Sequence, residues 1–159
     1  GADLVPDIEA DEEDVDGVAA FMRFLGPPPA ARLSTTAQQG QRVFVGVGCA
    51  ACHTPSMQTG ASPVAALRNR TVPLYSDLLL HDMGSLGDGI EQGAAGGREI
   101  KTAPLWGLRA RPRLLHDGRA TTIADAILAH AGEATAARYR FAELDDASRQ
   151  QLIDFLNTL

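Results

Sequence analysis

Cysteine is nearly absent from this 159-residue chain: Cys49 and Cys52 are the only two. So few exclude a disulfide framework, and a chain of this length can bury one domain's core without it. Aromatic residues are also scarce, 5% against 45% hydrophobic residues overall, with a single tryptophan. The core must therefore be aliphatic, and a flat apolar guest could supply volume that aromatic rings do not. Clustered basic charge is missing as well. The formal net charge is −6 and no Lys/Arg stripe appears, which argues against a nucleic-acid partner. No apolar run approaches the roughly 20 residues needed to span a bilayer, so no membrane span is expected. A basic-then-apolar leader is not seen either, which predicts a chain that is mature, processed or cut from something longer.

What is present turns on the two cysteines. Residues 49–53 read Cys49-Ala50-Ala51-Cys52-His53, the C-x-x-C-H pattern of c-type haem attachment. Two thiols add across the haem vinyl groups as thioethers, and the adjacent histidine ligates the iron from below. A thioredoxin-like dithiol would need a βαβ context that residues 35–60 do not suggest. Structural zinc would need about four ligands, whereas His81, His116 and His130 are isolated in sequence. The expected cofactor is thus one haem c, covalent through Cys49 and Cys52, with His53 as the first iron ligand. Because such haem is attached outside the cytoplasm, a periplasmic or otherwise extracytoplasmic location is expected.

Acidic residues Asp3, Asp7, Glu9, Asp11, Glu12, Glu13, Asp14 and Asp16 crowd the start, as favours the positive end of a helix. Val15, Val18, Met22 and Leu25 follow at helical spacing, and Gly26-Pro27-Pro28-Pro29 ends the pattern, predicting a helix over residues 11–25. Ser34-Thr35-Thr36 caps a second helix running to Gly46 or Gly48. Residues 54–118 hold every later proline and most glycines, and read as loops with short helical turns around the haem. A third helix is predicted over residues 122–131 and a fourth over 143–158. Aligning Asp14–Leu25 with Ser148–Leu159 superimposes Phe21 on Phe155, Met22 on Leu156 and Leu25 on Leu159. Residues 1–29 accordingly read as the last helix of a missing preceding domain plus a proline linker, and residues 30–159 as a monohaem domain.

Helix, haem motif, irregular loop and amphipathic terminal helix together resemble an all-α, cytochrome c-like fold, in which Gly40 and Phe44 would cross Phe155 and Leu156. Residues 100–130, from Ile-Lys-Thr-Ala-Pro-Leu-Trp-Gly-Leu through Leu-Leu-His-Asp-Gly-Arg-Ala-Thr-Thr, resemble the second haem domain of the bacterial di-haem cytochrome c peroxidase superfamily. The run Tyr75-Ser76-Asp77-Leu78-Leu79-Leu80-His81-Asp82-Met83-Gly84 is similar to its di-haem oxidoreductase branch, also called thiol oxidoreductase-like. The resemblance implies two haem domains in such proteins, whereas this chain carries one haem motif. Two readings follow. The first is an electron-transfer domain with a six-coordinate, low-spin haem, serving another haem domain or redox protein and not catalytic alone. The second is the electron-transfer half of a peroxidase or oxidoreductase whose catalytic haem lies on a missing segment or another chain.

The resemblance also implies the second iron ligand. In the peroxidases it follows a His-x-Gly segment, matched here by His116-Asp117-Gly118, and falls at the position of His130, where the peroxidases carry methionine. Spacing places Ile123, Ile127 and His130 on one helical face. Met83, in a glycine-rich loop, is the alternative, and His81 or an open iron remain further options. His116 is expected near a propionate or bracing its loop, and Trp106 in a segment that packs on the haem. Arg98, Lys101, Arg109, Arg111, Arg113 and Arg119 crowd the loop; guanidinium forks suit propionates, and Arg119 is the one taken as cofactor-binding. Glu133 and His116 are the candidates for proton handling in the enzyme reading. No Asp-x-Asp-x-Asp loop is present, and calcium is not expected.

Overall fold

The computed structural model describes residues 12–159, so the acidic positions Asp3, Asp7, Glu9 and Asp11 lie outside the described residues. Helix α1 (Glu12–Phe24) follows the predicted pattern, with Glu12, Glu13 and Asp14 in its first turn. None of its residues is buried: Phe21 and Met22 remain 64% and 61% exposed, and Leu25 just beyond its end 53%. Their sequence counterparts Phe155, Leu156 and Leu159 are buried. The proline linker lies against the rest of the chain. Ala31 donates its N–H to the Thr158 carbonyl at 2.7 Å, and Arg109 donates to the Pro29 carbonyl at 2.8 Å.

Helix α2 (Thr35–Val47) begins where its cap residues direct. Ser34 Oγ accepts from the Ala37 N–H at 3.1 Å, and Gly48, at φ +98°, ends the helix in the left-handed conformation that glycine tolerates. The remaining helices are α3 (Ile123–Ala129), α4 (Thr135–Ala142) and α5 (Asp146–Leu156). Helices α2 and α5 cross at the centre. Gly40 sits so close that a Cβ built on it would lie 1.8 Å from the Gln151 carbonyl oxygen and 2.9 Å from Phe155 Cβ. This approach lets Phe44, Leu152, Phe155 and Leu156 fill the core, each at most 4% exposed. Phe44, Tyr75 and Phe155 meet edge to face, with ring centres 5.4–5.9 Å apart.

The expectation of an all-α, cytochrome c-like architecture needs correction. Residues 54–118 include two two-stranded antiparallel sheets: β1 (Met57–Gln58) with β2 (Thr71–Val72), and β3 (Leu80–Asp82) with β4 (Glu99–Lys101). In the second, His81 pairs with Ile100. A loop whose backbone polar groups leave water must pair them, and here part of that pairing is between distant extended segments. Strands of two or three residues are too short to show alternation. Two helical expectations also shift. The helix predicted over residues 143–158 starts at Asp146, because Asp145 caps it by accepting from the Ser148 N–H at 2.8 Å. Helix α4 was not expected at all: its sequence has little amphipathic pattern, and only Phe141 is buried. Among the described residues, no helix is long and apolar enough to cross a membrane.

Candidate functional site

The end of α2 delivers the cysteine motif. After Gly48 the chain tightens into a 3-10 turn, Cys49–Ala51, and the His53 N–H donates to the Cys49 carbonyl at 2.9 Å. This winding brings the motif's residues onto one compact turn. Both thiols are free. Burial pushes the Cys49 thiol up to about 11, and burial with the carboxylates of Asp77 and Glu133 pushes Cys52 up too. At neutral pH both are therefore protonated and weakly nucleophilic by themselves. Arg140 of α4, which sequence reading did not single out, donates to the Val47 carbonyl at 3.3 Å beside Gly48.

His53 Nδ1 lies 3.0 Å from the Tyr75 carbonyl. A carbonyl only accepts, so Nδ1 is the donor and Nε2 carries the lone pair. Tyr75 holds a left-handed backbone, φ +54°, uncommon for a bulky residue. Its ring, wedged against Phe44 and Phe155, keeps that carbonyl aimed at His53.

His130 reaches the same place from the far side of the fold. The third helix ends at Ala129 rather than 131, and His130 is its extended C-cap, φ −61° and ψ 137°. The ring folds back so that Nδ1 donates to the Ala126 carbonyl at 2.7 Å, satisfying an otherwise orphaned helix-end acceptor. Its orientation thus comes from cap geometry, not from a continuous helical face with Ile123 and Ile127. The rings of His53 and His130 stand 6.4 Å apart, centre to centre, at 56°. Burial holds both imidazoles below their ordinary range, only partly opposed by the carbonyl hydrogen bonds. Both are accordingly neutral at pH 7, the form in which imidazole ligates a metal.

A second histidine system lies alongside. Asp77 donates its N–H to the Cys52 carbonyl at 2.9 Å. His81 Nε2 meets Asp77 Oδ2 at 2.9 Å, and its Nδ1 meets Glu133 Oε2 at 2.8 Å. Carboxylates only accept, so making both bonds requires the imidazolium. The bonds to Glu133 and then Asp77 raise the His81 pKa above its ordinary 6.5, outweighing burial. This contribution to stability is complete below the unfolded value and is lost as pH rises through the raised folded value. The melting temperature is therefore expected to fall as pH rises above about 6.5, with a flatter profile in His81→Gln, which carries no titrating ring.

The other sequence candidates scatter. Trp106 lines an apolar cleft with Pro28, Leu33, Tyr75 and Phe155, sharing only Tyr75 with the His53 hydrogen bond. His116 is exposed on its loop. Arg119 is held by Asp117, Arg98 pairs with Asp82 at 3.1 Å, and Arg111 donates to the Trp106 carbonyl at 3.0 Å. Met83 opens a 3-10 turn, Gly84–Leu86, and donates its N–H to the Arg98 carbonyl at 2.8 Å. Asp77 and Glu133, of which sequence reading offered only Glu133 as a proton-handling candidate, gather around His81 through tertiary pairing.

No curated protein matches the chain. Among solved structures, hydrazine synthase of Kuenenia stuttgartiensis, pressurised with 20 bar xenon, superposes with a TM-score of 0.67 at 20% identity. The match covers 94% of this chain and 56% of that one, so this chain spans little more than half of its neighbour. At that identity the likeness is one of fold. The family described as "Di-haem oxidoreductase, putative peroxidase" matches residues 1–159, its whole length. The chain belongs to the di-haem oxidoreductase family.

Proposed function

We propose that this chain is an electron-transfer haem domain, holding one haem covalently through Cys49 and Cys52, with His53 and His130 as the two axial ligands. The observation that carries this reading is the His53–His130 pair. Two metal–imidazole bonds of about 2 Å, with the half-widths of both rings, span about 6 Å, and the ring centres stand 6.4 Å apart. Both rings also have Nδ1 committed to a carbonyl, leaving Nε2 for iron. The residues therefore fit the group. Haem supplies reversible storage of one electron when bound.

The chain's own residues do the rest. Tyr75 and Ala126 fix the two imidazoles, so little rearrangement accompanies a change of charge. Two nitrogen donors favour the ferric state more than a nitrogen and a thioether would, which places the potential low. With His53 and His130 both holding the iron, the site would be closed to peroxide, and the domain would exchange single electrons with another haem or a redox protein. Extracytoplasmic placement goes with covalent attachment. The exposed apolar residues of α1, matched in sequence to the buried ones of α5, support reading α1 as the closing helix of a preceding domain. Family membership supports the second reading, in which this domain feeds a catalytic haem elsewhere.

The test is spectroscopic. Oxidised protein is expected to give a low-spin bis-imidazole signal without the methionine–sulfur charge-transfer band, and reduced protein to bind carbon monoxide poorly. The sulfur band would move the ligand to Met83, and rapid carbon monoxide binding would replace the carrier with an open, substrate-accessible site.

A further inference from the structure

We propose that Gly132 and Glu133 are positioning residues for the second axial ligand, docking the segment that carries His130 onto the end of β3 so that its ring stays opposite His53. This role rests on the two-histidine reading of the iron and concerns what holds the two rings in register. The hydrogen bond from His130 Nδ1 to the Ala126 carbonyl joins residues only four apart. It orients the ring on its own helix but cannot place that helix relative to His53, far earlier in the chain. Helix α3 is itself seven residues long with none of them buried, which makes it a weak anchor. Register must therefore come from the residues that follow it.

Two features supply it. The first is a backbone-to-backbone contact in the turn Gly132–Ala134. Gly132 holds φ +56°, and a Cβ built on it would lie 2.0 Å from the Asp82 carbonyl oxygen and 2.7 Å from the Gly84 nitrogen. Only glycine supplies both that conformation and that approach. Ala131, the one residue between Gly132 and His130, is extended, with φ −140° and ψ −165°, and 9% exposed. A displacement at Gly132 thus passes through a single buried, extended residue to the ligand.

The second feature is the Glu133 carboxylate, which grips the same strand with both oxygens. Oε1 accepts from the Asp82 N–H at 3.0 Å, and Oε2 meets His81 Nδ1 at 2.8 Å. His81 Nε2 meets Asp77 Oδ2 at 2.9 Å, and the Asp77 N–H donates to the Cys52 carbonyl at 2.9 Å. A continuous run of bonds therefore leads from Cys52, the residue before one ligand, to Glu133, three residues past the other. It uses only the backbone of Cys52 and leaves the sulfur for the thioether. Removing groups that orient a metal ligand characteristically weakens its hold by about 10- to 100-fold.

The haem-loaded full chain would be compared as wild type, His130→Ala, Gly132→Ala, Glu133→Ala and Gly40→Ala. Each would be measured by near-infrared magnetic circular dichroism of the oxidised form, carbon monoxide affinity of the reduced form, and melting temperature. Gly132→Ala is expected to lose the bis-imidazole signal, turning high-spin or gaining a methionine–sulfur band, and to bind carbon monoxide at least about tenfold more tightly than wild type. Added imidazole should restore the signal, which general loss of structure would not allow. Glu133→Ala leaves the glycine contact intact at an exposed position, and carries the test if Gly132→Ala does not fold; its carbon monoxide affinity should rise about tenfold. Gly40→Ala, which disturbs the helix crossing instead, should lower the melting temperature yet leave its haem-loaded fraction bis-imidazole. An unchanged spectrum and affinity in Gly132→Ala or in Glu133→Ala would strike that residue from the role while the two ligands stand. The same spectral change in Gly40→Ala would overturn the role as mere loosening of the fold. A wild type without the bis-imidazole signal, or a signal that survives His130→Ala, would overturn the axial pair and this role with it.

Discussion

His130→Ala is expected to turn the low-spin haem proposed for this chain into a high-spin one, with five-coordinate or water-bound iron. The replaced imidazole has its ring centre 6.4 Å from that of His53, and alanine offers no donor atom in its place. Losing a nitrogen donor that favours ferric iron should raise the reduction potential by on the order of 100 mV, a fraction of the roughly 0.8 V that axial ligands control. Reduced protein should then bind carbon monoxide at once. The fold should lose only about 1 kcal/mol, since what disappears structurally is the bond to the Ala126 carbonyl at the end of α3. His130→Met separates ligation from packing: it should restore a low-spin spectrum, at a potential above the wild type. A low-spin spectrum unchanged by His130→Ala would remove His130 from the iron and return attention to Met83.

Gly40→Ala is expected to be strongly destabilising for a change of a single methyl group. Helix propensity alone would favour alanine by about 1 kcal/mol. Against this, the added Cβ would sit 1.8 Å from the Gln151 carbonyl oxygen and 2.5 Å from its carbon. Both are backbone atoms of α5, so relief requires the two central helices to separate. Overpacking of this kind costs about 3 kcal/mol, which outweighs propensity and corresponds to a fall in melting temperature of about 10 °C. Because α2 also carries the cysteine turn, haem incorporation during expression should fall with stability. Gly46→Ala is the control. It lies in the same helix with nothing within 4 Å of an added Cβ, and should stabilise by up to about 1 kcal/mol. Equal melting temperatures for Gly40→Ala and wild type would show that the crossing can open without cost.

How much of this was readable in advance depended on the range of the interactions. Helix α2 was legible to within a residue, because Ser34 and Gly48 act on their immediate neighbours and need no tertiary help. The Gly40 crossing was expected only from the family resemblance; in the structure Gly40 lies against Gln151 and Phe155. Helix α4 was not legible, since its small and basic residues carry little periodic signal. Nor were β3 and β4, whose pairing joins residues some twenty positions apart through strands of three residues. His130 was expected on one helical face with Ile123 and Ile127, a geometry that the folded chain replaces: it caps its helix instead of continuing it.

The sequence by itself determined the chemistry on offer: two cysteines and a histidine on one turn, a second histidine after a short helix, and too few aromatic residues to fill a core unaided. Those are local facts, decided by side-chain identity and by caps and turns that act over three or four residues. Only the tertiary structure decided which groups face each other. It set His130 opposite His53, aimed the Tyr75 carbonyl through a strained backbone, and gathered Asp77 and Glu133 around His81. Such meetings depend on close packing of distant segments and on pairing every buried polar group. Neither condition leaves a periodic trace in a loop of more than sixty residues.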